Sequence, residues 1–181
     1  MKNNDTFELV LTGLLTALIM TATMLIRIPM PFTQGYVHMG DTVIYLAVLA
    51  VGKRRGAFAA GTGSAMVDLL SGYAHYVPWT FVIKFLMAFV MGSALEHLKK
   101  KGSCKAGGHR SILELASMAL AGITMTVGYY IAASIMQGNL FTPLLSVPGN
   151  IGQFAVGMLI AEILVSALVK TPVRKYLVNY S

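Results

Sequence analysis

Six long apolar runs, with cations clustered at every second junction between them, constrain this chain more than any other feature. The runs cover about residues 7–28, 39–52, 56–72, 78–98, 112–136 and 150–169. Pro29 and Pro31 close the first, because proline cannot easily continue a helix. Lys53-Arg54-Arg55 divides the second from the third, and Pro78 opens the fourth as a favoured first-turn residue. A span needs about 20 residues at 1.5 Å each, so the second and third are short. One kinked span through Lys53-Arg54-Arg55 would bury three cations, so a helical hairpin with a tight basic turn is expected. The first run is long for a secretory signal and lacks a convincing cleavage site, so it reads as a retained helix.

Orientation follows from the cations. Lys2, Lys53 to Arg55, five residues from Lys99 to Arg110, and Lys170, Arg174 and Lys175 account for 12 of the 14 Lys and Arg residues. In a six-span chain all of them fall on one face, and the opposite loops, about 29–38, 73–77 and 137–149, hold none. By the positive-inside rule both termini are cytoplasmic. The expected fold is all-α: a single membrane domain over residues 1–181, six transmembrane helices, multi-pass in a bacterial cytoplasmic membrane. Composition agrees. The chain is 56% hydrophobic and 12% charged, with mean hydropathy +0.69, where a soluble domain carries about 25% charged residues. The net charge of +7 is spread among loops rather than gathered in a patch, which argues against nucleic acid. The lone Cys104, in a basic loop, excludes an internal disulfide framework and a cysteine-based zinc site.

No HExxH, phosphate loop, GxSxG elbow or metal-spaced His/Cys group is present. The expectation is a non-enzyme with no metal and no cofactor, any ATP hydrolysis belonging to partner subunits. Polar residues gather instead toward the outer helix ends. Arg27 closes the first run, and Tyr36, His38 and Asp41 follow it. Asp68 lies near the end of the third run; Tyr73, His75, Tyr76 and Trp79 fill the next connection. Lys84 is about 9 Å into the fourth run. Tyr129 and Tyr130 sit in the outer half of the fifth, and Asn150 and Gln153 share a face of the sixth.

Each has a plainer reading. Tyr and Trp at this level also serve as membrane-interface belts, Arg27 can snorkel to headgroups, and loop histidines are commonly solvated. Asp68 and Lys84 are harder to set aside, because a charge inside a span is costly unless paired or facing a wet cavity. Their depths match, so either they pair between neighbouring helices or they line a polar cavity open to the outside. The second is favoured because the other polar groups share that level. Rings, amides, a cation and acids suit a small polar organic molecule, not an ion filter. Glu162 lies nearer the cytoplasmic half and serves a neighbour or a partner. Gly13, Ala17 and Thr21 recur every four residues in the first run; such a stripe admits another helix closely or packs internally.

Several segments together resemble the substrate-binding S components of bacterial energy-coupling factor (ECF) transporters. They are Tyr36-Val-His-Met-Gly-Asp41, the Lys53-Arg-Arg-Gly turn, Gly61-Thr-Gly-Ser-Ala65, Asp68-Leu-Leu-Ser-Gly72, and Phe81-Val-Ile-Lys84 with Met91-Gly92. The motif-bearing part covers about residues 36–92; the C-terminal half agrees in topology and apolar character. The resemblance implies a six-helix subunit of an ABC-type importer that captures a water-soluble vitamin or precursor. That subunit would associate with a transmembrane coupling protein and two cytoplasmic ATPases, and topple in the membrane to release its cargo. It implies a docking role for Gly13 and Ala17, which stand where the family carries an A-x-x-x-A stretch, and a lid role for the loop from about Pro29 to His38, with Gly35. The nearest subfamilies take pyridoxine, hydroxymethylpyrimidine or pantothenate. The first two would use Tyr, Trp and His faces with Asp41 or Asp68 as acceptor; pantothenate would need Lys84 or Arg27 free for its carboxylate. The other function classes are a stand-alone ion-coupled transporter with Asp68, Lys84 and Glu162 as a relay, and a non-transporting membrane subunit.

Overall fold

The computed structural model describes residues 2–29, 36–100 and 109–172. Cys104, the part of the expected lid loop that holds Pro31 and Gly35, and Arg174 and Lys175 lie outside them. Helix α1 (Lys2–Leu25) leads into a two-stranded antiparallel ribbon, β1 (Arg27–Pro29) and β2 (Tyr36–His38), in which Arg27 faces His38 and Ile28 faces Val37. Four more helices follow among the described residues: α2 (Gly40–Leu70), α3 (Val77–Lys100), α4 (His109–Gln137) and α5 (Val147–Leu168), the last preceded by a 3-10 turn over Thr142–Ser146. The all-α expectation therefore needs one amendment, and the first helix stops three residues early. Pro29 drives the residue before it toward extended backbone, so Ile28 enters a strand instead of a further helical turn.

Helix α2 is interrupted at Gly52, whose φ of +78° is a conformation that glycine adopts without a Cβ penalty. A methyl group on Gly56 would come within 2.9 Å of the Val48 Cα. Eight residues along a straight helix lie about 12 Å apart, so the arms 40–51 and 53–70 fold back on each other. The expected hairpin is present, but its turn is Gly52 alone. Lys53-Arg54-Arg55 opens the returning arm instead of forming the loop. Two of the three cations fasten it: Lys53 Nζ sits 2.5 Å from Glu96 Oε2 on α3, and Arg55 pairs with Glu8 on α1. Gly92 of α3 faces Lys53 so closely that a Cβ there would overlap it.

The same contacts fix direction. Glu8 meets Arg55 and Thr16 meets Gly63, so α1 runs parallel to the returning arm. Asp41 meets Lys84 and Val48 lies beside Gly92, so the first arm runs parallel to α3. One end of the bundle thus carries the ribbon, and the other the basic turn. Gly61 and Gly63, two residues and about 200° apart, let the returning arm approach α3 at Phe81 and α1 at Thr16 respectively.

Residues 40–51 form the hub. All of them are buried except Leu46 and Ala50, which are half-buried. Among the described residues, four stretches are long and apolar enough to cross a membrane: Thr6–Leu25, Val77–Lys100, Ile112–Gln137 and Thr142–Leu168. The arms of α2 reach only about 18 and 27 Å against about 30 Å of hydrocarbon. The shorter arm is enclosed by its neighbours, and α1 and α5 turn Leu14, Leu18, Leu159 and Ile163 outward.

Candidate functional site

Four helices and the ribbon converge on one buried polar cluster near the ribbon end. Asp41 lies in the first turn of α2, where the positive end of the helix dipole favours a carboxylate. Its Oδ1 accepts a hydrogen bond from Lys84 Nζ of α3, and its Oδ2 accepts one from Gln153 Nε2 of α5 at 2.6 Å. Asp41 and Lys84 are both fully buried. Lys84 Nζ also lies 2.9 Å from Met125 Sδ and 5.6 Å from the centre of the Tyr129 ring, both on α4. The Tyr129 hydroxyl in turn approaches Thr80 Oγ1 at 3.4 Å. Gln153 uses both ends of its amide, since Oε1 accepts the backbone N–H of His38 at 3.0 Å. One side chain thereby joins the ribbon to the ion pair.

His38 completes the corner. Its Nδ1 accepts the Gly40 backbone N–H at 3.1 Å, satisfying an open donor at the start of α2. The ring proton is therefore on Nε2. Burial, reinforced by the Lys84 charge, pushes the His38 imidazole down to about 3, so it is neutral at physiological pH. The cluster satisfies the requirement that a buried charge be paired and hydrogen-bonded.

The structure brings together five of the residues that the sequence singled out: His38, Asp41, Lys84, Tyr129 and Gln153. Asn150 is buried one turn before Gln153. Of the two readings of Asp68 and Lys84, the pairing, which was the less favoured, is not made; Lys84 pairs with Asp41. Depth along separate helices cannot tell which helices are adjacent, and Asp41 is on the arm parallel to α3. Asp68 is buried near the C-terminal end of α2, close enough to Tyr76 to raise the pKa of that phenol, after burial itself. Arg27 bonds Ser71 Oγ at 2.5 Å in the same neighbourhood. His38 is buried, against the solvated reading, whereas His75 is exposed, 4.8 Å between ring centres from half-buried Tyr76. Trp79 packs on the core, and Tyr130 bonds the Leu140 carbonyl. The Tyr36 side chain lies outside the described atoms. Met125 was missed. Its signal was available, because it sits one turn from Tyr129 on the same helix face.

The stripe on α1 faces outward. Gly13, Ala17 and Thr21 are exposed, and a Cβ on Gly13 would meet nothing within 4 Å. Thr12, Leu15, Ile19 and Thr23 face the bundle instead.

A small helical membrane bundle with a closed polar cluster at one end has the form of a membrane-embedded solute-binding protein. Comparison with known proteins makes that specific. Residues 3–170 match the family described as ECF-type riboflavin transporter, S component, and the chain belongs to that family. The family is a transporter component rather than an enzyme, and its members are multi-pass proteins of the cytoplasmic membrane. An uncharacterized protein in a gap 3' region of Pyrococcus woesei is 37% identical over 116 residues, 64% of this chain and 71% of that one. The thiamine precursor transporter HmpT of Lactococcus lactis subsp. cremoris is 26% identical over 172 residues, 94% and 93% of the two chains. The solved S component of a bacterial ECF transporter shares the fold, with TM-score 0.67, 18% identity and coverage of 92% of this chain and 97% of that one.

Proposed function

We propose that this S component captures a neutral heteroaromatic vitamin or vitamin precursor, of the pyridoxine or hydroxymethylpyrimidine kind, at the ribbon end of the bundle. The observation that carries the reading is the closed account of Lys84. Its charge is matched by Asp41 and its remaining contacts are Met125 and the Tyr129 face. A carboxylate ligand such as pantothenate would have to break a buried ion pair to find its cation, which is costly. A neutral ring can use the Tyr129 face and exchange hydrogen bonds with Asp41 and Gln153 while the pair stays whole. Riboflavin in the family name and the thiamine precursor of HmpT both belong to heteroaromatic chemistry.

The same reading has six spans with both termini in the cytoplasm, the basic turn at the inner face and the ribbon at the outer. Gly13, Ala17 and Thr21 then dock a transmembrane coupling protein that carries two cytoplasmic ATPase subunits. Their outward position on α1 supports this over internal packing.

A thermal-shift screen of the purified protein against hydroxymethylpyrimidine, pyridoxine, thiamine, riboflavin and pantothenate tests the proposal. A ligand at a hundredfold excess over Kd stabilises by about 2.7 kcal/mol. A shift with a neutral heteroaromatic compound is expected. A shift with pantothenate alone would overturn the substrate class. Gradient-driven uptake into liposomes holding only this chain would overturn the need for partners.

A further inference from the structure

Three buried hydroxyls among the described residues have no hydrogen-bond partner: Thr42 Oγ1, Tyr45 Oη and Ser64 Oγ. Tyr45 is fully buried, and Thr42 is 5% exposed. Buried polar groups are almost always paired, and each exception calls for a reason. Two of the three share one position in the fold. On the first arm of α2, at about 100° per residue, Tyr45 lies about 40° and Thr42 about 100° around from Asp41. The three form one polar stripe, a single turn deep, on a segment otherwise made of Val, Ile, Leu, Ala and Gly.

The direction of the stripe follows from α5. Gly157 packs against it, its nearest neighbours being the Thr42 backbone N, the Asp41 Cβ and the Thr42 Oγ1. One turn along α5 toward the ribbon, Gln153 holds Asp41 Oδ2. Thr42 and Tyr45 therefore continue the polar line that Gln153 and Asp41 begin, on the side of the arm that meets α5. Val and Phe would fill the same positions without an unpaired oxygen, so packing does not explain the choice of Thr and Tyr.

We infer that Thr42 and Tyr45 are ligand-contacting residues that select a heteroaromatic alcohol, their hydroxyls pairing with the hydroxyl arm of the ligand while Asp41 and Gln153 engage its ring. This rests on the binding-subunit reading above and adds which end of the ligand points inward. A phenol and a threonine hydroxyl can each both donate and accept a hydrogen bond, which matches an alcohol. A methyl group in the same place would leave both hydroxyls unpaired, and sites of that kind discriminate strongly.

The test compares matched ligand pairs by isothermal titration: hydroxymethylpyrimidine against its 5-methyl analogue, and riboflavin against lumiflavin, which lacks the hydroxylated chain. Wild type is expected to prefer the alcohol of whichever pair it binds by about tenfold or more. Tyr45→Phe and Thr42→Val are each expected to erase most of that preference, while the ligand-free melting temperature holds or rises. The preference is a ratio within one variant, so a merely structural role for the hydroxyls would not move it. A preference that survives in both variants, or is missing in wild type that binds the ring, overturns the inference and leaves the binding-subunit reading standing. Wild type that binds no probe overturns the two together.

Discussion

Residues 40–51 of α2 and the first helix, α1, are both apolar, yet the first is enclosed on every side and the second turns large side chains outward. The enclosed arm carries Asp41 and survives because Lys84, Gln153 and the helix N-terminus surround that carboxylate. The exposed helix carries Gly13, Ala17 and Thr21 on its outer face, where a Cβ added to Gly13 would meet nothing among the described residues within 4 Å. Apolar composition alone does not say where a helix sits. The lesson lies in what each helix needs from its neighbours: the arm needs polar partners, and α1 needs lipid or another helix.

The comparison breaks most sharply at the ion pair. Replacing one partner, Asp41→Asn or Lys84→Met, leaves the other charge buried and is expected to cost about 3–5 kcal/mol. The double substitution is expected to recover much of that loss, and melting curves in detergent for the three variants decide it. A double variant that loses the sum of the two single losses would mean that the pair contributes no coupling.

Next is Gly63→Val, on the face of α2 that receives α1. A Cβ there lies 2.9 Å from the Thr16 carbonyl oxygen, so the helices must part, at about 1–3 kcal/mol. A variant as stable as wild type would show that this contact is loose.

A gentler strain comes from pH. His38 is neutral in the folded protein down to about 3, whereas unfolded histidine takes a proton near its ordinary value of 6.5. Its contribution to stability is thus fully present above about pH 6.5 and falls as the pH drops toward 3. The slope approaches about 1.4 kcal/mol per pH unit. His38→Gln is expected to remove that slope from the melting-temperature profile; an unchanged profile would assign it to other groups.

The smallest effect on stability is expected on the exposed helix. Gly13→Leu points into open space and is expected to change stability by less than about 0.5 kcal/mol. Uptake by the assembled transporter is expected to be lost while ligand binding persists. Normal uptake would remove the docking role and leave α1 facing lipid only.

Much of this could be read along the chain. The apolar runs located the helices, and the triplet Lys53-Arg54-Arg55 marked a reversal because cations do not stay in hydrocarbon. Pro29 ended the first helix. The polar cluster was half visible: His38, Asp41, Lys84, Tyr129 and Gln153 were chosen because polar groups at matching depth suggested a common site. Their partners were not. Matching depth put Asp68 forward as the mate of Lys84, and no hydrophobic period tells apart two acids on the arms of one hairpin. Met125 escaped notice because a thioether reads as core packing until a lysine is found beside it.

The sequence by itself determined that the chain is built of apolar helices, that proline and a basic triplet lie beside two of their breaks, and which residues must find polar partners, because hydropathy, proline, glycine and charge act locally. Only the tertiary structure decided that Lys84 meets Asp41, that Gln153 ties the ribbon to that pair, and that Gly13 faces outward while Gly63 faces in. Those outcomes depend on which helices become neighbours and how each is rotated. Both are set by close packing of many side chains at once, and no single stretch of chain encodes them.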